Sequence, residues 1–281
     1  MGGMRQRRKP IRLGRLLIFL VLLAISFTTI YPLVFMPMSA VKGEPEFIRN
    51  PYGWPTEPTF ENFVNAWRFG KFGMYLGNSF LVVVAGVVLS WAVCSMAGYA
   101  LSHLRFGGRR LMFFVILGTM VIAPQVIFIP LHSMLNQLGL INMRLGLVLV
   151  YVTLAAPFGT YLMTSYFRGI PHELVEAAQV DGANHLQTLW HVMLPVAKPA
   201  LVTLGIFNFL WMWNELLFSL LILKDDEVRT LMVGVANLRG QYTTNIPYLS
   251  AGLFLAALPV LIVFLIFQTQ LTKGMTMGSV K

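Results

Sequence analysis

The sequence predicts an all-α membrane protein that crosses the bilayer about six times and carries a polar helical loop on its cytoplasmic side. Apolar residues make up 57% of the 281 residues, and Asp, Glu, Lys and Arg only 11%, whereas about a quarter of a soluble domain is charged. The apolar residues form long runs without alternation, which favours spanning helices over barrel strands. The positive charge collects on segments that six crossings would place on one side.

Each long apolar run is interpreted as a spanning helix, because lipid offers the backbone no hydrogen-bonding partner. The first run, from about Leu16 to Phe35, is long enough to cross a core of about 30 Å. It exceeds the roughly 7 to 15 apolar residues of a signal peptide, so we expect it to be retained. Pro124, Pro157 and Pro259 predict kinks within later runs. The spans predicted within one domain of residues 13–270 are 13–37, 74–101, 111–130, 145–167, 199–223 and 248–269.

The basic residues predict that both termini are cytoplasmic. A basic tail covers residues 1–12, and a second tail covers residues 271–281. With the N-terminus inside, the tails and the loops 102–110 and 168–198 hold most of the Lys and Arg, and the opposite side is balanced in charge. The excess of +10 therefore falls on the cytoplasmic side, as the positive-inside rule requires.

Several functional classes are excluded by composition. A single cysteine, Cys94, excludes an internal disulfide, and no cluster of Cys and His predicts a metal site. The basic tail is followed by an apolar span and not by an aromatic-interleaved pattern, so nucleic acid is not expected as a partner.

The segment 168–198 is too polar to cross the membrane. Pro171 suits the first position of a helix, and Glu173 and Glu176 favour its positive end. Gly182 predicts a left-handed turn that ends this helix, and a second short helix is expected from Asn184 to Leu194, before Pro195. Two short helices that meet at a glycine form a rigid protrusion.

The residues of this segment resemble the EAA loop of binding-protein-dependent ABC importer permeases. The family pattern is Glu-Ala-Ala, three residues, Gly, nine residues and Ile-x-Leu-Pro, and the chain departs from it only in having Val192 for Ile. The resemblance implies a coupling helix that docks on an ATP-hydrolysing subunit. The positions that match this pattern are Glu176, Ala177, Ala178, Asp181, Gly182, Ala183, Leu194 and Pro195.

Further motifs are similar to the carbohydrate-uptake branch of that family, of the maltose-system type. They are PTFENFVNAW at 58–67, NSFLVV at 78–83, GYALSHLRFGGRR at 98–110, WNELLF at 213–218 and the tail LTKGMTMGSVK. The resemblance implies a sugar-like solute, a second homologous permease in a heterodimer, two ATPase subunits that carry ATP and Mg²⁺, and an extracytoplasmic solute-binding protein. It also implies the cytoplasmic membrane of a prokaryote.

A polar and aromatic stripe in the fifth predicted span is a candidate solute path. In one continuous helix, the stripe residues would share a face, and aromatic rings with carboxylate and amide groups suit a carbohydrate. The alternative places Glu215 near the outer interface, with Trp211 and Trp213 as belt aromatics and Asn208 bonded to a neighbouring helix. The stripe comprises Asn208, Trp211, Met212, Glu215 and Ser219.

The sequence fits an ABC permease better than two other functional classes. No GxxxxGK[ST] phosphate loop occurs, so ATP hydrolysis is expected from partner subunits and not from this chain. A self-sufficient secondary transporter or channel would predict an internal repeat or mid-span coupling carboxylates, and neither is evident. A membrane enzyme would need a catalytic constellation, which the sequence does not offer.

Overall fold

The computed structural model describes residues 13–238 and 245–276. The basic tail 1–12 and the end of the C-terminal tail lie outside the described residues. Within the described ranges every regular element is helical, which confirms the predicted fold class. The α-helices are α1 Leu13–Ala40, α2 Glu44–Arg49, α3 Glu61–Arg68, α4 Phe72–His103, α5 Arg109–Gly118, α6 Phe128–Gln137, α7 Arg144–Arg168, α8 His172–Val180, α9 His185–Thr188, α10 Leu194–Val196, α11 Lys198–Asn214, α12 Leu217–Ile222, α13 Leu231–Asn237 and α14 Ile246–Thr276.

The described residues contain four helices that are long and apolar enough to span a membrane, namely α1, α4, α7 and α14. Two further helix pairs reach this length only when each is counted as one bent crossing, which raises the number to six. The first pair, α5 with α6, bends by 92° around two 3₁₀ turns, Thr119–Val121 and Pro124–Ile127. The second pair joins the end of the polar segment to α11 with a bend of 82°.

Two expectations about these crossings differ from the structure. The third predicted span, 111–130, is not one helix, because the backbone is extended at Ile122 and Ala123, directly before Pro124. The fifth predicted span, 199–223, is not one helix either, since α11 ends at Asn214 and α12 begins at Leu217. Continuous apolar character therefore did not imply a continuous helix.

The loops predicted to lie outside contact one another. Lys71 forms an ion pair with Asp226 at 2.9 Å, and its hydrogen bond to that carboxylate lowers the pKa of Asp226 below its usual value. The Asn142 side chain accepts from the backbone N–H of Lys224 at 3.0 Å and of Asp225 at 2.9 Å. These contacts join the loops that follow α3, α6 and α12 on one face of the bundle.

The helix ends predicted to lie inside also meet one another. The His103 ring at the end of α4 lies 4.7 Å from the His172 ring at the start of α8. The Arg168 guanidinium at the end of α7 lies 5.0 Å from the ring centre of Phe113 in α5. The connections therefore form two sets at opposite ends of the helices, as expected for six crossings.

The centre of the fold is the close packing of α4 against α7. Small residues recur at every fourth position of α4 and are all buried: Gly86, Ser90, Cys94, Gly98 and Ser102. A Cβ on Gly98 would lie 2.7 Å from the Cβ of Met163, and a Cβ on Gly159 of α7 would lie 2.4 Å from the Sγ of Cys94. Small residues let two membrane helices approach closely and gain dispersion contacts.

We expect Gly98→Ala to destabilise the fold by about 1 to 3 kcal/mol, because the added methyl group overpacks the α4–α7 contact. Gly77→Ala in the same helix is the matched control, since nothing lies within 4 Å of a Cβ at that position. The measurement is thermal unfolding of the purified chain in detergent, followed by tryptophan fluorescence. Equal melting temperatures for the two variants would contradict the assigned role of Gly98.

Candidate functional site

The polar segment after α7 forms a helical hairpin. α8 ends at Val180, and Gly182 follows with a φ of +86°, the left-handed turn that the sequence predicted. The turn is closed by hydrogen bonds from Gly182 N to Gln179 O at 3.0 Å and from Ala183 N to Ala178 O at 2.9 Å. A side chain at position 182 would have open space around it, but the left-handed φ of this position is unfavourable for residues other than glycine.

The second helix of this hairpin, α9, begins with a capping box. Asn184 Oδ1 accepts from Gln187 N, and Asn184 N donates to Gln187 Oε1, both at 2.9 Å. The helix then continues through a π-helical turn at Leu189–Met193 to Val196. It therefore ends close to the predicted limit at Leu194 and Pro195, although Pro195 lies within the last helical turn. The bend of 82° into α11 follows.

The hairpin exposes a mixed acidic and apolar surface. Glu176, Ala177, Asp181, Gly182 and Pro195 are exposed. The remaining predicted coupling residues are half-buried, namely Ala178, Ala183 and Leu194. Apolar side chains that the sequence argument did not single out are also exposed, namely Leu174, Val180, Leu186 and Trp190. Val180 is 87% exposed and Leu186 is 56% exposed. Neighbouring apolar side chains with this exposure are typical of a contact surface and not of a hairpin that faces only water.

The underside of the hairpin is fixed to the membrane helices. Val175, Leu189 and Met193 are buried in one cluster. This cluster also contains Tyr99 of α4 and Phe167 of α7, whose rings meet edge to face at 6.5 Å. The hairpin is therefore packed directly against the two central helices.

Glu215 does not belong to a helical stripe, because the helix breaks at this residue. Its backbone is extended, and its carboxylate accepts from Phe218 N at 2.8 Å and from Ser219 N at 3.1 Å. The buried Tyr151 hydroxyl donates to the same carboxylate at 2.9 Å. The carboxylate thus satisfies the free N–H groups at the start of α12, which explains a charge within an apolar segment.

The other stripe residues separate into buried and exposed groups. Asn208, Met212 and Ser219 are buried within this chain, and no described residue accepts from Asn208 Nδ2. Trp211 is 39% exposed and meets the Tyr151 ring edge to face at 5.5 Å. Trp213 is buried and donates to Ala256 O at 3.0 Å, so the alternative of a belt aromatic at this position is wrong.

Trp211 lines a groove that the sequence argument missed. The groove has a volume of about 640 Å³ and lies between α4, α7 and the bend of the third crossing. Its wall is mostly apolar, with threonine hydroxyls at Thr119, Thr153 and Thr160. The signal in the sequence was Pro124, which predicted a kink but not a groove.

The bend beside this groove is exposed in the single chain. Val121 is 87% exposed, Val126 72% and Ile129 84%. Between them the chain leaves helical geometry, so several backbone groups have no partner within a helix. Lipid-exposed irregular backbone does not occur in the hydrocarbon region, and such a bend must face protein or a water-filled cavity.

Comparison with known proteins decides the family. Residues 93–277, which include the hairpin, match the family described as the binding-protein-dependent transport system inner membrane component. The chain belongs to this family. This confirms the ABC importer permease that the glutamate-alanine motif indicated, over the alternative of a self-sufficient transporter or channel.

Named relatives of this permease are similar over most of their length. The diacetylchitobiose uptake system permease protein NgcG of Streptomyces coelicolor is 34% identical over 90% of this chain and 85% of the relative. The arabinooligosaccharides transport system permease protein AraQ of Halalkalibacterium halodurans is 31% identical over 92% and 93%. The trehalose transport system permease protein SugB of Mycobacterium tuberculosis is 33% identical over 81% and 84%.

Solved structures of an importer share the fold. One chain of a bacterial ABC transporter that imports the acidic polysaccharide alginate matches 94% of this permease with a TM-score of 0.82 and 26% identity, and 99% of that chain is covered. A chain of the bacterial alginate transporter in complex with its pentasaccharide-bound periplasmic protein matches 89% of the permease with a TM-score of 0.66 and 16% identity, and 92% of that chain is covered.

We expect Glu215→Ala to destabilise the permease by about 1 to 3 kcal/mol, because the N–H groups of Phe218 and Ser219 lose their acceptor and the Tyr151 hydroxyl keeps only Ser219 Oγ as a partner. Glu215→Gln keeps one oxygen and should retain more of the stability. Glu57→Ala, in an exposed loop position, is the control for removal of a carboxylate. Thermal unfolding in detergent is the measurement, and an unchanged melting temperature for Glu215→Ala would refute the capping role.

Proposed function

We propose that this permease forms, with a second permease, the membrane path of an ATP-driven importer for a sugar or sugar-like solute, and that its α8 hairpin is the contact to the ATPase. The hairpin carries the proposal, since it combines a rigid turn at Gly182 with an exposed acidic and apolar surface. ATP and Mg²⁺ belong to the partner ATPase subunits in this proposal. The solutes named for the relatives, diacetylchitobiose, arabinooligosaccharides and trehalose, support a carbohydrate.

The coupling surface fits a partner with a basic rim and an apolar cleft. Glu176 and Asp181 offer carboxylates, while Val180 and Leu186 offer apolar side chains beside them. Ala177 and Gly182 have little or no side chain, so the backbone of a partner can approach the hairpin closely at these positions. Closure of the ATPase pair would press on the hairpin and tilt α4 and α7 through their shared cluster.

The orientation follows from the same hairpin. An ATPase that binds α8 lies in the cytoplasm, which places the ends of α4 and α7 inside and the loops around Asp226 outside. Both termini would then be cytoplasmic, as the positive charge of the tails predicts. The outer loops would face the extracytoplasmic solute-binding protein.

The solute path lies at the groove beside the third crossing in this proposal. The exposed bend needs either protein or water against it, and a partner permease that covers it would enclose the groove of about 640 Å³. The Trp211 ring suits the C–H face of a sugar, and the hydroxyls of Thr119 and Thr153 suit sugar hydroxyls. Glu215 caps a helix and is not required in this path.

We expect Gly182→Pro to abolish binding of the ATPase subunit, since proline fixes φ near −65° and the turn requires +86°. Gly182→Asn is the matched control, because asparagine tolerates the left-handed conformation. The measurement is co-purification of the tagged full chain with its co-expressed ATPase, together with solute-stimulated ATP hydrolysis of the assembled importer.

A melting temperature of the Gly182→Pro chain close to that of the wild type establishes that the hairpin, and not the fold, has changed. Normal assembly and transport by this variant would overturn the proposal. Labelling that places Glu176 on the outer face of the cell would also overturn it.

We expect Trp211→Ala to weaken the apparent affinity of transport about tenfold, which corresponds to about 1.4 kcal/mol for one lost aromatic contact. Trp211→Phe keeps an aromatic face and should retain most of the affinity. Phe264→Ala, which removes a ring that is 48% exposed on α14, is the control for loss of apolar area. Uptake by the reconstituted importer at varied solute concentration is the measurement, and equal affinities for Trp211→Ala and wild type would exclude Trp211 from the path.

A further inference from the structure

Arginines gather where the start of α5 meets the end of α7. Arg109 and Arg110 open α5, and Arg168 is the last residue of α7. Together with Phe113 and Phe114 they line a cavity of about 300 Å³. None of these arginines has a carboxylate within 4.0 Å among the residues that the structure describes.

Two of the guanidinium groups are held by aromatic rings. The Arg110 guanidinium lies 5.8 Å from the ring centre of Phe114, and that of Arg168 lies 5.0 Å from the ring centre of Phe113. No described residue forms a hydrogen bond with the side chain of either arginine. Cation–π contacts orient the charges but leave their N–H donors free.

The charged cavity lies beside an exposed apolar surface. Leu111 is 69% exposed, Phe114 55% and Val115 59%. At 100° per residue these side chains point away from Ile116, which lines the groove of the third crossing. The exposed face of α5 next to the arginines is therefore apolar.

The start of α5 adds to the positive potential. This helix has 10 residues and no acidic residue in its first turn, so its free N–H groups point toward the same end. The acidic side chains of this side, Glu173, Glu176 and Asp181, lie on or beside α8 and form no ion pair with the arginines. Uncompensated guanidinium groups with free donors match a phosphate group.

We propose that this cavity binds the phosphate of an anionic phospholipid, with Arg110 and Arg168 as its principal ligands and an acyl chain along the outer face of α5. The cytoplasmic side assigned here rests on the proposed function. The cytoplasmic leaflet of a membrane carries anionic lipid, and a basic pocket between spanning helices at that surface recognises its headgroup. A zwitterionic lipid binds less tightly, because its own cation competes for the phosphate.

The test is native mass spectrometry of the full-length chain in detergent, titrated with phosphatidylglycerol or with phosphatidylcholine of the same acyl chains. The wild type should prefer phosphatidylglycerol. Arg110→Gln combined with Arg168→Gln should weaken phosphatidylglycerol binding about 25-fold, or about fivefold for each arginine, and weaken phosphatidylcholine binding much less. Arg110→Lys combined with Arg168→Lys should keep most of the preference, because the charge remains.

The matched control is Arg49→Gln combined with Arg68→Gln, which removes the same charge from exposed positions of the opposite loop and should not change the preference. Equal weakening by both double variants would overturn the site, since it would reflect net charge alone. Inorganic phosphate that displaces the lipid and binds in its place would identify a soluble anion instead. Loss of the bound lipid when the ATPase joins the complex would identify a protein contact.

Lipid binding is measured on the purified permease without transport. A failure of the importer assignment therefore leaves this measurement interpretable, and a failure of the lipid site leaves the ATPase co-purification untouched.

Discussion

The close contact between α4 and α7 is the interaction on which the rest of the permease depends. Buried small residues recur at intervals of four along α4, and among them Cys94 and Gly98 lie against Gly159 and Met163 of α7. In lipid this packing takes the place of a hydrophobic driving force between helices. The pair then serves as a frame: one end packs against the hairpin through Tyr99 and Phe167, and the other end is tied to the loop around Asp226.

Two of the crossings contain a helix break, and the two breaks differ in whether the chain itself supplies partners for the free backbone groups. At Glu215 the chain supplies its own acceptor, and a buried tyrosine completes the site. At residues 119–127 the bend stays exposed, beside a groove with an aromatic wall. Because open backbone is not stable against lipid, the second break marks the surface that needs a partner permease or a water-filled path.

The end of the bundle that carries the hairpin presents two charged surfaces of opposite sign. The hairpin offers carboxylates and apolar side chains, while the ends of α5 and α7 offer guanidinium groups over aromatic rings. A rigid acidic protrusion suits a folded partner that approaches from the cytoplasm. The basic cavity lies beside the exposed apolar face of α5, and this combination suits an anionic lipid headgroup with its acyl chain. The proposed ATPase contact and the proposed lipid site would therefore occupy separate surfaces of the permease.

The sequence by itself determined the all-α membrane fold, the two sets of loops and the hairpin with its turn at Gly182, because hydropathy and local backbone chemistry decide these features. It also indicated the family through the spacing of Glu176, Gly182 and Pro195. Only the tertiary structure decided where helices break. No glycine or proline lies between Asn214 and Leu217, and the break there is held by the capping carboxylate of Glu215, which also accepts from Tyr151, 64 residues away. The groove at Trp211 likewise requires α4, α7 and the bent third crossing together, and no local pattern encodes contacts among helices so distant in the chain.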